Sequence, residues 1–246
     1  MLSFLKNHPF AVEAFFESSV VLTFAVPKEQ LQPLIPECLQ LDTYKDKWAF
    51  LAMAMVQTRH LRPKGFPEMF GHHFFLVGYR LFVQYHTNAG KRLRGLYILK
   101  SETNKKKMEL MGNIFTHYNY ATTDINLATD GQQTTIHSAQ SGFNITIEDT
   151  GDAVDLPSGS PFTDWKDARR FAGPLPFTFT YDQPSKTVLI IEGVRTNWTP
   201  RPVKIVDYHI SFPDSLHLTN VAPANAFIIN NIPYHWKKGI KEKWNC

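Results

Sequence analysis

The chain has 246 residues, of which 43% are hydrophobic and 13% aromatic, and its net charge is +4. This length and apolar content are enough for one large core, so we expect a single domain over residues 1–246. No apolar run approaches the roughly 20 residues of a membrane-spanning helix. Residues 1–19 lack the pattern of a signal peptide, so we predict a cytoplasmic protein with no membrane partner.

The cysteines, lysines and histidines exclude several classes of site. Cys38 and Cys246 are too few for a disulfide framework and lack metal-type spacing. The lysine run 105–107 has no interleaved aromatic residues, so no nucleic-acid partner is predicted. His72 and His73 are adjacent and would point to opposite faces of a strand. We therefore predict no metal and no other cofactor.

The first predicted elements are a strand, a short helix and a hairpin. Apolar residues alternate over 19–26, which predicts a strand with a fully buried face. Prolines at both ends of 27–36 predict one short helix there. Lys45-Asp46 separates two apolar runs and predicts a hairpin turn. The second of these runs is apolar on both faces, as in an interior strand of a sheet.

A second predicted hairpin joins residues 79–85 to 94–101 through a turn at 88–90. Its first strand has Tyr79, Leu81, Val83 and Tyr85 on one face and Arg80, Phe82 and Gln84 on the other.

The second half of the chain is predicted to be mostly strands. A helix is expected over 104–113, with Gly112 near its end, so that "HYNYA" at 117–121 enters the next strand. Another helix is expected within 160–173, with Ser160 as its cap, Pro161 in its first turn and Gly173 at its end. The acidic, glycine-rich segment 149–161 is predicted to be a mobile loop. Further strands are predicted at 134–138, 143–149, 177–182, 187–193 and 203–212.

This pattern predicts an α+β fold of mostly antiparallel strands, either barrel-like or in two sheets, with a few short peripheral helices. A closed sheet of this size can enclose a small ligand, so an internal cavity is expected.

Three stretches, 26–54, 77–103 and 193–205, resemble the YqjF-like conserved proteins. That family is placed in the acetoacetate-decarboxylase-like superfamily, so the resemblance implies a cone-shaped β-barrel around an internal pocket. In the decarboxylases a lysine after a short helix forms a Schiff base. Along the resemblance this lysine falls on Tyr120, and a glutamate of the pocket falls on or next to Arg80. No lysine occurs from 108 to 165, and tyrosine cannot form an imine.

The "HYNYA" segment supplies the candidates for chemistry. On a strand, Tyr118 and Tyr120 would share one face and His117 and Asn119 the other. We place Tyr118 and Tyr120 inward, because the resemblance puts Tyr120 in the pocket. The tyrosines are candidate proton donors and His117 a candidate general base. The alternative is that both phenols only pack in the wall, with hydroxyls bonded to backbone. Catalytic residues stay unassigned, with Tyr120 and His117 as candidates.

Two arginines complete the predicted ligand site. Arg80 on an apolar strand suits a carboxylate through two parallel hydrogen bonds, or it lies outside and pairs with acids. Glu192 and Arg195 could form an inward pair beside Trp198, or an ordinary surface pair. The predicted ligand-binding residues are Arg80, Tyr118, Tyr120, Arg195 and Trp198.

Three functions fit these residues. The first is binding of a small organic acid or similar metabolite in an internal pocket. The second is a lyase or hydrolase that uses His, Tyr and Arg acid–base chemistry in that pocket without an imine. The third is an interaction module whose interior is filled. A homodimer is expected only from the general frequency of dimers.

Overall fold

The fold consists of one large sheet, one small sheet and a few short helices. The computed structural model describes residues 5–151, 154–173 and 175–244. Its strands are β1 (Val12–Pro27), β2 (Gln40–Leu41), β3 (Trp48–Pro63), β4 (His72–His86), β5 (Arg92–Thr103), β6 (Tyr120–Thr122), β7 (Asn126–Asp130), β8 (Gln133–Ser138), β9 (Phe143–Glu148), β10 (Phe177–Asp182), β11 (Thr187–Arg195), β12 (Arg201–Pro202), β13 (Lys204–Ile210), β14 (Ala222–Trp236) and β15 (Ile240–Lys243). The helices are α1 (Lys28–Leu31), α2 (Lys106–Phe115), α3 (Trp165–Ala172) and α4 (Phe212–Ser215), with 3₁₀ turns at Leu5–Asn7, Gln32–Leu34 and Glu68–Phe70.

Seven strands of the large sheet form a closed ring. Their order is β14, β1, β3, β4, β5, β10 and β11, and β11 pairs again with β14. All contacts around the ring are antiparallel except β5 with β10. Edge strands β12, β2, β6 and β15 extend the sheet. The predicted α+β class with mostly antiparallel strands is confirmed.

The outer face of the ring packs on the small sheet, which has the order β13-β9-β8-β7. The alternating residues of β1 and β4 predicted to be buried, such as Leu22 and Leu81, lie in this core with Ile136 and Ile145 of the small sheet. Strand β3 is buried on both faces because it lies between β1 and β4. The predicted interior strand is thus confirmed.

The opposite face of the same strands lines the inside of the ring, and helices close its two ends. At one end α3 packs against Phe50 and Phe82, at the start of β3 and near the end of β4. At the other end α2 covers the end of β3, the start of β4 and the last residues of β14. A site between these two ends is enclosed by strands on all sides.

Several local predictions need correction. The turn at Lys45-Asp46 is present, with both φ angles at 52°, but it joins only Tyr44 to Trp48. Strand β2 pairs with β4 rather than with β3, so the predicted hairpin partner was wrong. The second hairpin, β4 with β5, is confirmed.

Helix α3 begins later than predicted. Its N-cap is Asp164, whose carboxylate accepts a hydrogen bond from the Asp167 backbone at 2.7 Å. Ser160 instead donates to the carbonyl of Ala224 at 2.7 Å, so the predicted Ser160 cap was wrong. Gly173 ends the helix as expected. In the preceding predicted loop, residues 154–161 contain no helix or strand, and residues 152 and 153 lie outside the described residues.

In the described ranges, no helix combines the length and the hydropathy that crossing a membrane would require.

Candidate functional site

Arg80 extends from β4 into the interior of the ring. Its backbone pairs with Ala52 of β3 and Ile98 of β5, so the residue stands in the middle of the sheet. The side chain folds back over Gly78, where an added Cβ would lie 3.1 Å from the Arg80 Nε. This contact directs the guanidinium toward the end of the ring that α2 covers. Because Gly78 has no side chain, it leaves space for the Arg80 side chain to pass over it.

Tyr118 and Tyr120 meet Arg80 from the segment after α2. The two rings lie 6.5 Å apart between centroids, and both phenols interact electrostatically with Arg80. Gly112 in the last turn of α2 lies against the Tyr120 ring, so closely that a Cβ there would overlap it. The Asn113 amide holds the Tyr120 backbone at both its N–H and its carbonyl, each at 2.9 Å. Helix α2 thereby fixes the position of Tyr120.

Arg195 and Tyr234 approach from the other side of the ring. They are direct cross-strand partners on β11 and β14, and the Arg195 guanidinium carbon lies 5.8 Å from the Tyr234 ring centroid. The same guanidinium stacks on Trp198 at 4.1 Å. Tyr234 also interacts electrostatically with Arg80, so this phenol is near both arginines. We call Arg80, Tyr118, Tyr120, Arg195, Trp198 and Tyr234 the interior cluster.

The two arginines of the interior cluster have no acidic partner among the described residues. None of the ion pairs within 4.0 Å includes Arg80 or Arg195. The Nε of Arg80, one terminal nitrogen of Arg195 and the indole nitrogen of Trp198 are buried without a hydrogen-bond partner. The Tyr118 hydroxyl also has no hydrogen-bond partner of acceptable geometry, although the Thr178 side chain lies near it. The cluster therefore has hydrogen-bond donors without acceptors and positive charges without an anion among the described residues.

Burial decides the protonation of the cluster. It lowers the pKa of Arg80 and of Arg195, while neighbouring phenols act in the opposite direction. Arginine stays charged at neutral pH even so. Burial raises the pKa of Tyr120 to about 12 and raises the pKa values of Tyr118 and Tyr234. At neutral pH the phenols are thus hydrogen-bond donors beside two cations.

A cavity of about 320 Å³ opens next to the cluster. Tyr118 and Tyr120 form part of its wall, together with α2, residues 8–12, the end of β3 and Trp236. Its volume lies at the lower end of the range for small-molecule sites, about 300–1,000 Å³. A cavity of this size is thus present at the end of the ring that α2 covers.

A model of the conserved uncharacterised protein family DUF2071 (COG2071) matches residues 14–233. The chain belongs to this family. The match covers all seven ring strands at least in part, and both arginines of the interior cluster. No curated protein matches the chain. This agrees with the sequence resemblance to an uncharacterised family of the acetoacetate-decarboxylase-like superfamily.

Solved structures place the DUF2071 chain in the acetoacetate-decarboxylase-like fold. The acetoacetate decarboxylase of Legionella pneumophila has a TM-score of 0.63 and 8% identity, covering 94% of this chain and 86% of that one. An acetoacetate decarboxylase-like enzyme from Sphingomonas wittichii RW1 gives 0.56 and 10%, covering 98% and 94%. The enduracididine biosynthesis enzyme MppR with HEPES buffer bound gives 0.56 and 8%, covering 95% and 88%. Identities this low show a shared fold and nothing about activity.

The structure of the DUF2071 protein brings together the five predicted ligand-binding residues, but not for the predicted reason. Residues 116–119 are not a strand, and Asn119 has a φ of 52°, so strand alternation does not apply there. Tyr118 and Tyr120 face the same interior because the chain bends between them. His117 is turned elsewhere: the charged groups that act on its pKa are Lys6, Asp182 and Lys241, and burial lowers that pKa.

Glu192 does not join Arg195. It forms an ion pair with Lys237 at 2.9 Å, and both side chains are partly exposed. Neither the inward pair of Glu192 with Arg195 nor their surface pair, the two alternatives left open by the sequence, is therefore formed, and Arg195 has no carboxylate partner among the described residues.

Sequence reasoning missed Tyr234 and His8. Tyr234 lies in β14, a strand whose two prolines and Asn230-Asn231 pair read as turn signals. His8 lines the cavity, is buried, and has an unbonded Nδ1; burial lowers its pKa. A histidine near the start of a chain carries no local signal of such a position. Within the ranges that the structure describes, no group of three His, Cys, Asp or Glu residues could hold a metal.

Proposed function

We propose that the protein binds a small organic acid inside the ring, with its carboxylate held by the interior cluster. The observation that carries this proposal is that Arg80 and Arg195 have no anion beside them among the described residues, while the Nε of Arg80 and one terminal nitrogen of Arg195 are buried without a hydrogen-bond partner. Removing a charge from water costs several kcal/mol even after relaxation, and folded proteins normally compensate it with a partner. A carboxylate ligand supplies that partner.

The phenols support an anionic ligand over a cationic one. Tyr118 and Tyr120 stay protonated at neutral pH because burial raises their pKa values. They can donate hydrogen bonds to a carboxylate that also faces Arg80. A cation in this position would meet two guanidiniums and would be repelled.

The mode of binding that we propose is non-covalent. In a decarboxylase of the superfamily a lysine forms an imine with the substrate, whereas along the sequence resemblance this lysine falls on Tyr120. Incubation with acetoacetate and borohydride, followed by mass spectrometry of the intact protein, should yield no covalent adduct. An adduct on any lysine would overturn this part of the proposal.

Calorimetric titration with pyruvate, acetoacetate and benzoate tests the anion site directly. Arg80→Met should lower the affinity for any acid that binds by about 30-fold or more, because one side of a buried charge pair is lost. Arg59→Met is the matched control, since Arg59 is an exposed arginine paired with Glu17. Equal affinity in wild type and Arg80→Met would remove Arg80 from the site.

A second function is acid–base catalysis on the bound acid. The observation in its favour is His8, a residue of the same cavity wall as Tyr118, whose Nδ1 is buried without a hydrogen-bond partner. A neutral imidazole and a protonated phenol are a suitable base and acid. Release of CO₂ from β-keto acids by wild type, and its loss in both His8→Gln and Tyr118→Phe, would establish this function. No turnover would leave binding alone.

A cytoplasmic location, homodimerisation and a single domain over residues 1–246 stay predictions.

A further inference from the structure

The cavity beside the interior cluster has a wall that differs sharply from the cluster itself. Helix α2 contributes Met108, Met111 and Phe115 to it, and Trp236 closes the opposite side. The phenols of Tyr118 and Tyr120, next to Arg80, form one polar part of this wall. One chamber therefore combines a largely apolar wall with an anion-binding end.

The other titratable residues in the wall do not make it charged. Arg62 is already neutralised by Glu13 at 2.9 Å, with Glu68 at 3.7 Å, and it donates to the backbone of Phe66 at 2.8 Å. Burial lowers the pKa of His8 and also that of His72. Both imidazoles are consequently uncharged at neutral pH. The wall outside the tyrosine end thus offers no free charge to a polar ligand.

The mouth of the chamber is also apolar. Phe10 and Phe70 belong to the wall and are 37% and 59% exposed. Phe10 packs edge-to-face on Phe115 of α2, with 5.4 Å between ring centroids. A ligand that enters here passes aromatic side chains before it reaches the phenols.

From this asymmetry we infer that the ligand is a monocarboxylate with an unsubstituted hydrocarbon or aromatic body. The body occupies the apolar chamber, and the carboxylate points inward to Tyr118, Tyr120 and Arg80. This inference rests on the proposed anion site and adds the class of acid that it selects. Hydroxylated or dicarboxylic acids are disfavoured, because their second polar group would lie unpaired against Met111, Phe115 and Trp236.

The volume sets the size of the body. At about 30 Å³ for each group of the size of a water molecule, a cavity of 320 Å³ holds about ten non-hydrogen atoms. Medium-chain fatty acids and arylalkanoic acids are of this size.

A titration series of acetate, butyrate, hexanoate, octanoate and dodecanoate tests the inference on the whole protein. Affinity should rise about fourfold for each added methylene group and should stop rising once the chamber is full. Adipate should bind more weakly than hexanoate by at least tenfold. Equal affinity across the series, with acetate still bound, would overturn the apolar chamber while leaving the proposed anion site intact.

A neutral ligand separates the chamber from the anion site. 1-Octanol should bind at least tenfold more weakly than octanoate. If the two bind equally, the carboxylate assignment is overturned and the proposed function fails with it, although the chamber itself is occupied. If neither octanoate nor octanol binds, the apolar chamber is overturned.

A filling substitution tests the location. Met111→Trp should lower octanoate affinity at least tenfold and leave acetate affinity within twofold, because only the body is displaced. Leu110→Trp is the matched control on the outer face of the same helix, where Leu110 is 63% exposed. Loss of octanoate binding in both variants, or in neither, would overturn the placement of the body under α2.

Discussion

The two ends of the ring interior each contain an arginine, and the two arginines differ in their partners. Arg80 and Arg94 lie on neighbouring strands and on the same face of the sheet, since Gln84, which shares a face with Arg80, pairs with Arg94. Arg94 faces α3, where its Nε donates a hydrogen bond to the Asp42 carboxylate at 2.6 Å. Its Nη2 lies 2.6 Å from the same carboxylate oxygen and donates to the Phe171 carbonyl at 2.7 Å. Arg80 faces the chamber under α2 and has no anion.

This difference separates a structural arginine from one kept for a ligand. At the α3 end the chain itself supplies the anion and the helix, and the space is filled by aromatic side chains. At the α2 end the chain supplies only donors and leaves a chamber. The same residue type on the same face thus closes the fold at one end and prepares a binding site at the other.

The largest expected effect is from Arg94→Met. The substitution leaves the Asp42 carboxylate, which is 2% exposed, with Gln84 as its remaining side-chain partner at 2.5 Å. A buried carboxylate that has lost its cation costs about 3–5 kcal/mol. Urea denaturation should show a loss of that size in the free energy of unfolding. A loss below 1 kcal/mol would mean that the two ends do not differ in this respect.

Gly112→Ala should disturb the chamber end without touching the α3 end. The added methyl group overlaps the Tyr120 ring, and such overpacking costs about 1–3 kcal/mol, more than alanine gains in a helix. The free energy of unfolding should fall, and carboxylate affinity should fall with it as Tyr120 moves. Greater stability in this variant, as helix propensity alone would give, would contradict the position of Tyr120.

Alkaline pH should weaken the chamber end through its phenols. Burial raises the pKa of Tyr120 from 10.0 to about 12, so the unfolded chain loses this proton first. The stabilisation is complete below pH 10 and is lost as the pH rises toward 12, by up to about 1.4 kcal/mol per pH unit. Tyr120→Phe should flatten the decline in urea denaturation between these pH values. The exposed Tyr208→Phe is the control and should leave it unchanged.

The smallest effect on stability is expected from Arg80→Met. Replacing an unpaired buried charge by an apolar side chain of similar length is often neutral or favourable, so the free energy of unfolding should stay within about 1 kcal/mol or increase. Denaturation without added carboxylate measures this, because a bound acid would stabilise only the wild type. A loss comparable to that of Arg94→Met would show that Arg80 has a partner within the fold and would weaken the ligand assignment.

The sequence alone determined the class of fold and most ring strands. Alternation in β1 and β4, the two-faced apolar run of β3 and the turn at 88–90 are local signals, and burial on a pleated strand has a period of two residues. The resemblance to the YqjF-like proteins directed attention to Arg80, Tyr118 and Tyr120. Strand β14 was missed because its prolines read as punctuation, whereas bulges and neighbouring strands accommodate them in the ring.

Only the tertiary structure decided which of these residues come together in the interior cluster. Ring closure between β11 and β14 brings Arg195 and Tyr234 opposite Arg80, and pairing between strands distant in sequence leaves no local pattern to read. The bend at Asn119, the late start of α3 and the position of His8 likewise follow from packing. The absence of an anion beside Arg80 among the described residues follows from the tertiary fold, because any segment that folding brings near can supply a partner.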